Sequence, residues 1–247
     1  MSQKWNATQY IDNASFVAEH GSPVLALLSP LPGEKVLDLG CGDGALTKDI
    51  EKFGAIVHGV DSSPSMIESA KERGLSASVM SGDALNFSNE FDAVFSNAAL
   101  HWMKQSDVVI QGVFKALKQN GRFVGEFGGK GNVAALVNGM GSVFEKHSEF
   151  GVFENPWYFP SVKEYQEKLQ DNGFKVHYIE LIPRPTPLKT GVKEWLKVFS
   201  NGITTNLDKN EKNQFLTEVE QLVKPKLLVN DVWVADYIRL RFSAQKV

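Results

Sequence analysis

Short apolar runs alternate along this chain with stretches of helical spacing, and the alternation begins at Lys35. Ahead of it, a polar lead dotted with Trp5, Tyr10 and Phe16 passes into an apolar stretch from Ser22 to Ser29. Pro30 and Pro32 end that stretch, which predicts a helix packed on a core. Lys35 to Leu39 predicts a short buried strand halted by glycines, and Ala45 to Phe53 an amphipathic helix. Ala55 to Val60 predicts a second strand that closes on an acidic residue, Asp61. Ser62-Ser63-Pro64 then offers a hydroxyl and a proline suited to a helix N-terminus, for a helix over Ser65 to Arg73. Strands follow at Ala77 to Met80, Phe91 to Ser96 and Arg122 to Phe127, with a helix over Asp107 to Lys118.

Strands alternating with helices imply a parallel sheet covered on both faces. The rest of the chain completes it. A helix from Asn132 to Phe150 leads into the aromatic stretch Trp157-Tyr158-Phe159-Pro160, and a helix over Val162 to Asn172 is capped by Gly173. Lys175 to Ile182 and Val232 to Ser243 are the last two strands, the second an aromatic and β-branched run suited to an antiparallel edge. Between them lie the proline-rich stretch Pro183 to Pro187 and helices around Val192 to Phe199 and Lys209 to Val223. The expected architecture is α/β and doubly wound, a mostly parallel seven-stranded sheet with an antiparallel last strand. Residues 1–247 read as one domain, with a helical lead over about 1–30 and a helical lid insertion over about 188–229.

Composition narrows the function. Lys and Arg total 26 against 29 Asp and Glu, a net charge of -3, so no sequence-wide attraction to nucleic acid or anionic lipid exists. The first residues have neither a basic nor an apolar signal region, and no apolar run approaches the roughly 18 residues of a membrane span. A single cysteine, Cys41, excludes an internal disulfide and a cysteine-rich metal site; the expectation is a cytoplasmic, reducing setting with no metal, no nucleic-acid partner and no membrane partner. Cys41, between two glycines, reads as a small filler and not as a nucleophile.

The chemistry concentrates in Lys35-Val-Leu-Asp38-Leu-Gly40-Cys41-Gly42-Asp43-Gly44, a buried strand ending in three glycines at alternate positions before a helix. Glycines there let the backbone turn sharply and approach a ligand closely. Asp61, 17 residues beyond Gly44 at the tip of the second strand, is placed to accept hydrogen bonds from both hydroxyls of a ribose. A dinucleotide fingerprint is G-x-G-x-x-G, whereas this loop is G-x-G-x-G with Ala45 next, which makes nicotinamide chemistry the runner-up.

Asp38-Leu-Gly-Cys-Gly-Asp-Gly44, Asp61 and Gly82-Asp83-Ala84 together resemble the successive motifs of class I S-adenosylmethionine (AdoMet)-dependent methyltransferases. Gly59-Val-Asp-Ser-Ser-Pro-Ser-Met66 and Ser96-Asn-Ala-Ala-Leu-His-Trp102 are similar to the group holding the trans-aconitate, malonyl-carrier-protein and juvenile hormone acid methyltransferases. The likeness covers about residues 5–130. It implies a Rossmann-like fold, AdoMet as cofactor and a small-molecule methyl acceptor. It implies Asp38, Gly40, Cys41 and Gly42 at the methionine moiety, Asp61 at the ribose, and Ser62 and Met66 beside the adenosine. Gly82 and Asp83 would meet the adenine with the Ala84 N–H, Asn97 would offer its carbonyl to the cofactor ammonium, and Tyr10 would close over the carboxylate.

On the acceptor side the resemblance singles out His101 and Trp102, with Gln9, Trp157 and Tyr158 behind them. An acceptor carboxylate is already ionised near neutral pH, whereas a hydroxyl or amine benefits from a base such as His101. The implied reaction is O-methylation of a carboxylate or hydroxyl by in-line transfer. The alternatives are a non-catalytic AdoMet-binding regulator and a nicotinamide oxidoreductase. Ser96-Asn97-Ala98-Ala99 stands where an amino-methylating nucleic-acid enzyme would carry an Asn/Asp-Pro-Pro-aromatic tetrad.

Overall fold

In the computed structural model, which describes residues 22–247, the glycine-stopped strand β1 (Lys35–Leu39) pairs in parallel with two neighbours. Helix α1 (Ser22–Leu28) precedes it; α2 (Ala45–Glu51), β2 (Ile56–Asp61), α3 (Pro64–Glu72) and β3 (Ala77–Val79) follow. Next come β4 (Phe91–Asn97), α4 (Ser106–Ala116), β5 (Leu117–Gly128), α5 (Ala134–Lys146), α6 (Val162–Asp171) and β6 (Phe174–Pro187). Helices α7 (Gly191–Phe199) and α8 (Lys209–Leu227), the two-residue β7 (Leu228–Val229) and β8 (Val232–Lys246) complete the chain. The eight-stranded sheet runs β3-β2-β1-β4-β5-β8-β6, with β7 paired to β8. Strands β1 to β5 are parallel and β8 is antiparallel to β5. Strand order reverses between β1 and β4, and that gap is where an open α/β sheet places its ligand.

Two sequence expectations are corrected. Val232–Lys246 is not an edge strand; it lies between β5 and β6, and β6 takes the edge. The proline-rich stretch Pro183 to Pro187, expected to follow the strand ending at Ile182, is itself the end of β6. Alternate residues of a strand turn their backbone N–H to the same side, so prolines at 183, 185 and 187 cost an edge strand nothing on its paired side.

The described residues form two compact units. The first comprises 22–130, 157–182 and 239–247. Alternation along its strands feeds two cores: Leu37, Leu39, Val94, Phe123, Phe127 and Phe242 pack with Val109, Ile110, Tyr165 and Leu169 from α4 and α6. On the opposite face Val36, Val57, Phe95 and Val124 pack with Val24 and Leu28 of α1 and Ile50 of α2. Arg122 ties this unit together, donating to both Glu34 carboxylate oxygens at 2.7 Å and to the Leu28 carbonyl at 2.9 Å.

The second unit comprises 131–156 and 183–238 and contains the 188–229 insertion. Gly139 lets α5 approach α8, since a Cβ there would stand 2.9 Å from a Val223 methyl, and Phe144 meets Phe215 edge to face. Asp208 and Glu211 form a capping box that starts α8. No described helix is long and apolar enough to cross a membrane.

Candidate active site

The three loop glycines all have positive φ, 76°, 57° and 80° at Gly40, Gly42 and Gly44, but for different reasons. A Cβ at Gly40 would sit 2.2 Å from the Ala99 Cβ, and one at Gly44 would sit 2.1 Å from a Leu75 methyl, so both are packing glycines. A Cβ at Gly42 would meet no protein atom within 4 Å. The backbone there borders open space, the close approach a ligand needs.

Asp61 stands beside that space. Its Oδ2 accepts from the Gly42 N–H at 3.1 Å and its Oδ1 from the Ser63 N–H at 2.8 Å. The two N–H groups fix the carboxylate plane, and each oxygen keeps a lone pair to accept a further donor. Burial pushes its pKa up, against the two hydrogen bonds. Asp38 is 3% exposed, accepts from Thr47 Oγ1 at 2.6 Å, and is pushed up to about 7 by burial, with the Asp61 charge adding to the rise. At both carboxylates burial is the largest cause of the rise, so each would be held more readily as an anion by a nearby positive charge.

Cys41 is half-buried, its Sγ lodged where a Cβ on Gly59 would be, and burial raises its thiol pKa. Ser62 is exposed and its neighbour Ser63 caps α3. Met66 is turned inward at 3% exposure, so its thioether packs within the protein. Gly82, Asp83 and Ala84 form one turn of 3-10 helix. A Cβ at Gly82 would strike the Met103 sulfur at 2.5 Å. Asp83 is exposed, while the Ala84 N–H, expected at an adenine nitrogen, donates to the Ser81 carbonyl at 3.0 Å as the turn's own closing bond. Tyr10 and Gln9 lie outside the described residues.

Asn97 ends β4, and Ala98 after it has φ 55°, its N–H held by the Glu126 carbonyl at 2.7 Å. A non-glycine residue there stores backbone strain at the strand edge. The chain then forms the 3-10 turn Leu100–Trp102. His101 is 7% exposed, and its Nδ1 accepts from the Gly128 N–H at 3.3 Å. Burial, then the nearby Arg239 charge, holds the imidazole well below its ordinary pKa. The His101 carbonyl accepts from the Tyr158 N–H at 2.8 Å, which draws Trp157–Phe159 alongside. The ring centroids of Trp102 and Trp157 lie 5.5 Å apart, those of His101 and Phe159 5.9 Å. His101, Trp102 and Trp157 thus share an aromatic wall, while the Tyr158 hydroxyl donates to Glu164.

Residues 37–125 match a family described as the methyltransferase domain. An uncharacterized methyltransferase of Schizosaccharomyces pombe is 38% identical, covering 98% of this chain and 98% of its own length. The chain belongs to the class I AdoMet-dependent methyltransferases. Trans-aconitate 2-methyltransferase of Mycobacterium tuberculosis is 36% identical over 44% of this chain and 43% of its own length. The solved structure of Haemonchus contortus phosphoethanolamine N-methyltransferase 2, in complex with phosphomonomethylethanolamine and S-adenosylhomocysteine, has a TM-score of 0.60 at 20% identity, over 92% of this chain and 52% of that one. At that identity the likeness is one of fold.

Among this methyltransferase's residues, Arg239 escaped the sequence reading. It is 7% exposed and pairs with Gly128 across the β5–β8 ladder, at the same sheet edge as His101. The available signal was the alternation Arg239-Leu240-Arg241-Phe242, which puts two arginines on one strand face.

Proposed function

We propose that this methyltransferase transfers a methyl group to a carboxylate oxygen of a small organic acid. The carrying observation is the state of His101. A backbone N–H can only donate, so the Gly128 bond leaves Nδ1 unprotonated, and the neutral ring then carries its proton on Nε2. A histidine so arranged orients and donates but does not accept a proton, which suits an acceptor that is already ionised. The name of the M. tuberculosis relative, a methyltransferase of a carboxylic acid, supports the same class.

S-adenosylmethionine is the cofactor, and when bound it supplies an electrophilic methyl on a sulfonium with a neutral leaving group. The open space at Gly42 and the oriented carboxylate of Asp61 fit such a ligand. In this reading Asp38, Gly40 and Gly42 hold the methionine end, Asp61 the ribose hydroxyls, Asp83 the adenine edge and the Asn97 carbonyl the ammonium. Trp102 and Trp157 shield the acceptor from water, and His101 directs the oxygen that attacks.

The test is turnover across a panel of small carboxylic acids, phenols and amines, followed by the release of S-adenosylhomocysteine. The expected products are methyl esters. His101→Gln should keep within about tenfold of the rate, with no new pH dependence, because a positioned donor contributes less than a base. Turnover confined to phenols or amines, or a large His101→Gln loss recovered at high pH, overturns the reading.

A further inference from the structure

Each residue of the glycine turn, from Gly40 to Gly44, is fastened to the stretch of chain between β2 and β3. The Gly40 and Cys41 N–H groups donate to the Val60 carbonyl at 2.8 and 3.0 Å, and the Gly42 N–H donates to Asp61. Cys41 packs against the small core of Ile67, Ala70, Leu75 and Ala77, and Gly44 leaves the space of its missing Cβ to Leu75. Asp43 makes the remaining tie, and it is ionic. Its Oδ2 accepts from Arg73 Nη2 at 2.6 Å, and its Oδ1 accepts from the Ala45 N–H at 3.3 Å, where α2 begins. The Asp43 side chain is 12% exposed and that of Arg73 42%, so the carboxylate relies on the guanidinium more than on water. Arg73 follows the last residue of α3; there Gly74, at φ 76°, turns the chain and the Leu75 N–H returns to the Ala70 carbonyl at 3.2 Å. One helix cap thus carries both Arg73 to Asp43 and Leu75 to Gly44.

We propose that Asp43 and Arg73 are a positioning pair for the cofactor: by anchoring the middle of the turn they keep the Gly42 backbone and the Asp61 carboxylate in the arrangement that AdoMet meets. This rests on the reading of Gly42 and Asp61 as cofactor contacts. Glycine keeps many backbone states within reach, so a turn with three of them needs ties from outside to hold one shape. Asp43 shares a peptide unit with Gly42, and a shift of its anchored side chain turns that peptide. Without the guanidinium, a mostly buried carboxylate is left with one backbone donor, and the turn has to rearrange to hydrate it or to find it another. The pair is assigned no contact with the reacting atoms, so its effect falls on cofactor affinity and not on the transfer step.

The experiment is calorimetric titration with AdoMet, well below each protein's melting temperature, of wild type, Arg73→Gln, Arg73→Lys, Asp43→Asn, the double variant Asp43→Asn/Arg73→Gln and, as a control, Gly42→Ala. Arg73→Gln strands the carboxylate and should weaken AdoMet binding about tenfold. Arg73→Lys keeps the charge and should fall between it and wild type. The double variant replaces the ion pair by two neutral amides that can still bond to each other, and should recover to within about threefold of wild type. A purely structural pair would lower the melting temperature without moving these affinities. If Gly42→Ala weakens binding and Arg73→Gln stays within about twofold of wild type, the pair assignment fails and the cofactor reading of the turn stands. If the double variant is as weak as the two single losses added together, the residues act separately and the assignment fails. If Gly42→Ala binds AdoMet as wild type does, the turn is not a cofactor contact and the proposal falls with that reading. Should Arg73→Gln not fold, Arg73→Lys decides, with wild-type affinity counting against the pair.

Discussion

Gly40 and Gly42 are two residues apart, share a left-handed backbone, and should answer substitution in opposite ways. Either change to Ala puts a side chain at positive φ, a strain of about 1–2 kcal/mol. At Gly40 the new methyl also has to displace Ala99, 2.2 Å away, so Gly40→Ala should lower the melting temperature well beyond the strain alone. At Gly42 the methyl meets no protein atom, so Gly42→Ala should lose stability by the strain alone and lose AdoMet affinity by tenfold or more. Thermal denaturation alongside AdoMet titration separates the two, and equal losses of stability would refute the distinction. The glycine spacing and Asp61 were legible in the sequence because both are local: a strand, a turn and an acid at the next strand's tip. Which glycine packs and which faces a ligand was not legible, since Ala99 and Leu75 arrive from other parts of the chain. Helical spacing likewise places Met66 on α3 but does not say which face is buried; the structure turns it inward.

At the scale of elements, the strand series was legible and its closing arrangement was not. The aromatic and β-branched run from Val232 to Ser243 suits an antiparallel edge, but composition does not tell an edge from an inner position. β8 instead lies inside the sheet, and Arg241 pairs with the buried Glu126 of β5, a pairing that only the register reveals. The prolines of β6 carried the matching clue: their period of two belongs to an edge strand. The far end of β8 has its own task. Lys246 Nζ donates to the Phe114 carbonyl at 2.7 Å and the Leu117 carbonyl at 2.8 Å, and lies 4.5 Å from the centre of the Phe114 ring. The last strand thereby caps the C-terminal end of α4, where backbone carbonyls lack helical partners. Lys246→Met preserves the stem and leaves those carbonyls unpaired, so it should destabilise the fold by about 1–3 kcal/mol in urea unfolding while leaving KM for AdoMet unchanged. A change in KM of more than a few-fold would show that this end of β8 reaches the site.

For the whole molecule, the proposed place of Asp38 at the cofactor would couple stability to binding, and pH should expose the coupling. Its pKa in the ligand-free protein is about 7 because burial and the Asp61 charge both disfavour the anion, whereas an unfolded aspartate titrates near 3.8. Between those values the folded protein binds more protons than the unfolded chain. Stability of the ligand-free enzyme should therefore fall as pH rises from about 4 to about 7 and level off above the folded value. In the proposed site AdoMet would bring positive charge beside these two carboxylates, so binding would favour the ionised form and expel the proton. Affinity should then rise with pH up to about 7, and the stabilisation that cofactor confers should grow over the range in which the ligand-free protein weakens. Asp38→Asn keeps an acceptor for the Thr47 hydroxyl and abolishes the titration, so it should flatten both slopes, raise the ligand-free melting temperature near pH 7 and weaken AdoMet binding there. Melting curves against pH with and without S-adenosylhomocysteine, plus calorimetry in buffers of different ionisation enthalpy, measure both slopes and the released proton. If Asp38→Asn retains the wild-type slopes, the titrating group is another one. With Asp38 placed at the cofactor as proposed, the methyltransferase fold would be less stable at the pH where its site is most ready to bind, because the buried charge that weakens the empty protein would be the charge that holds the cofactor.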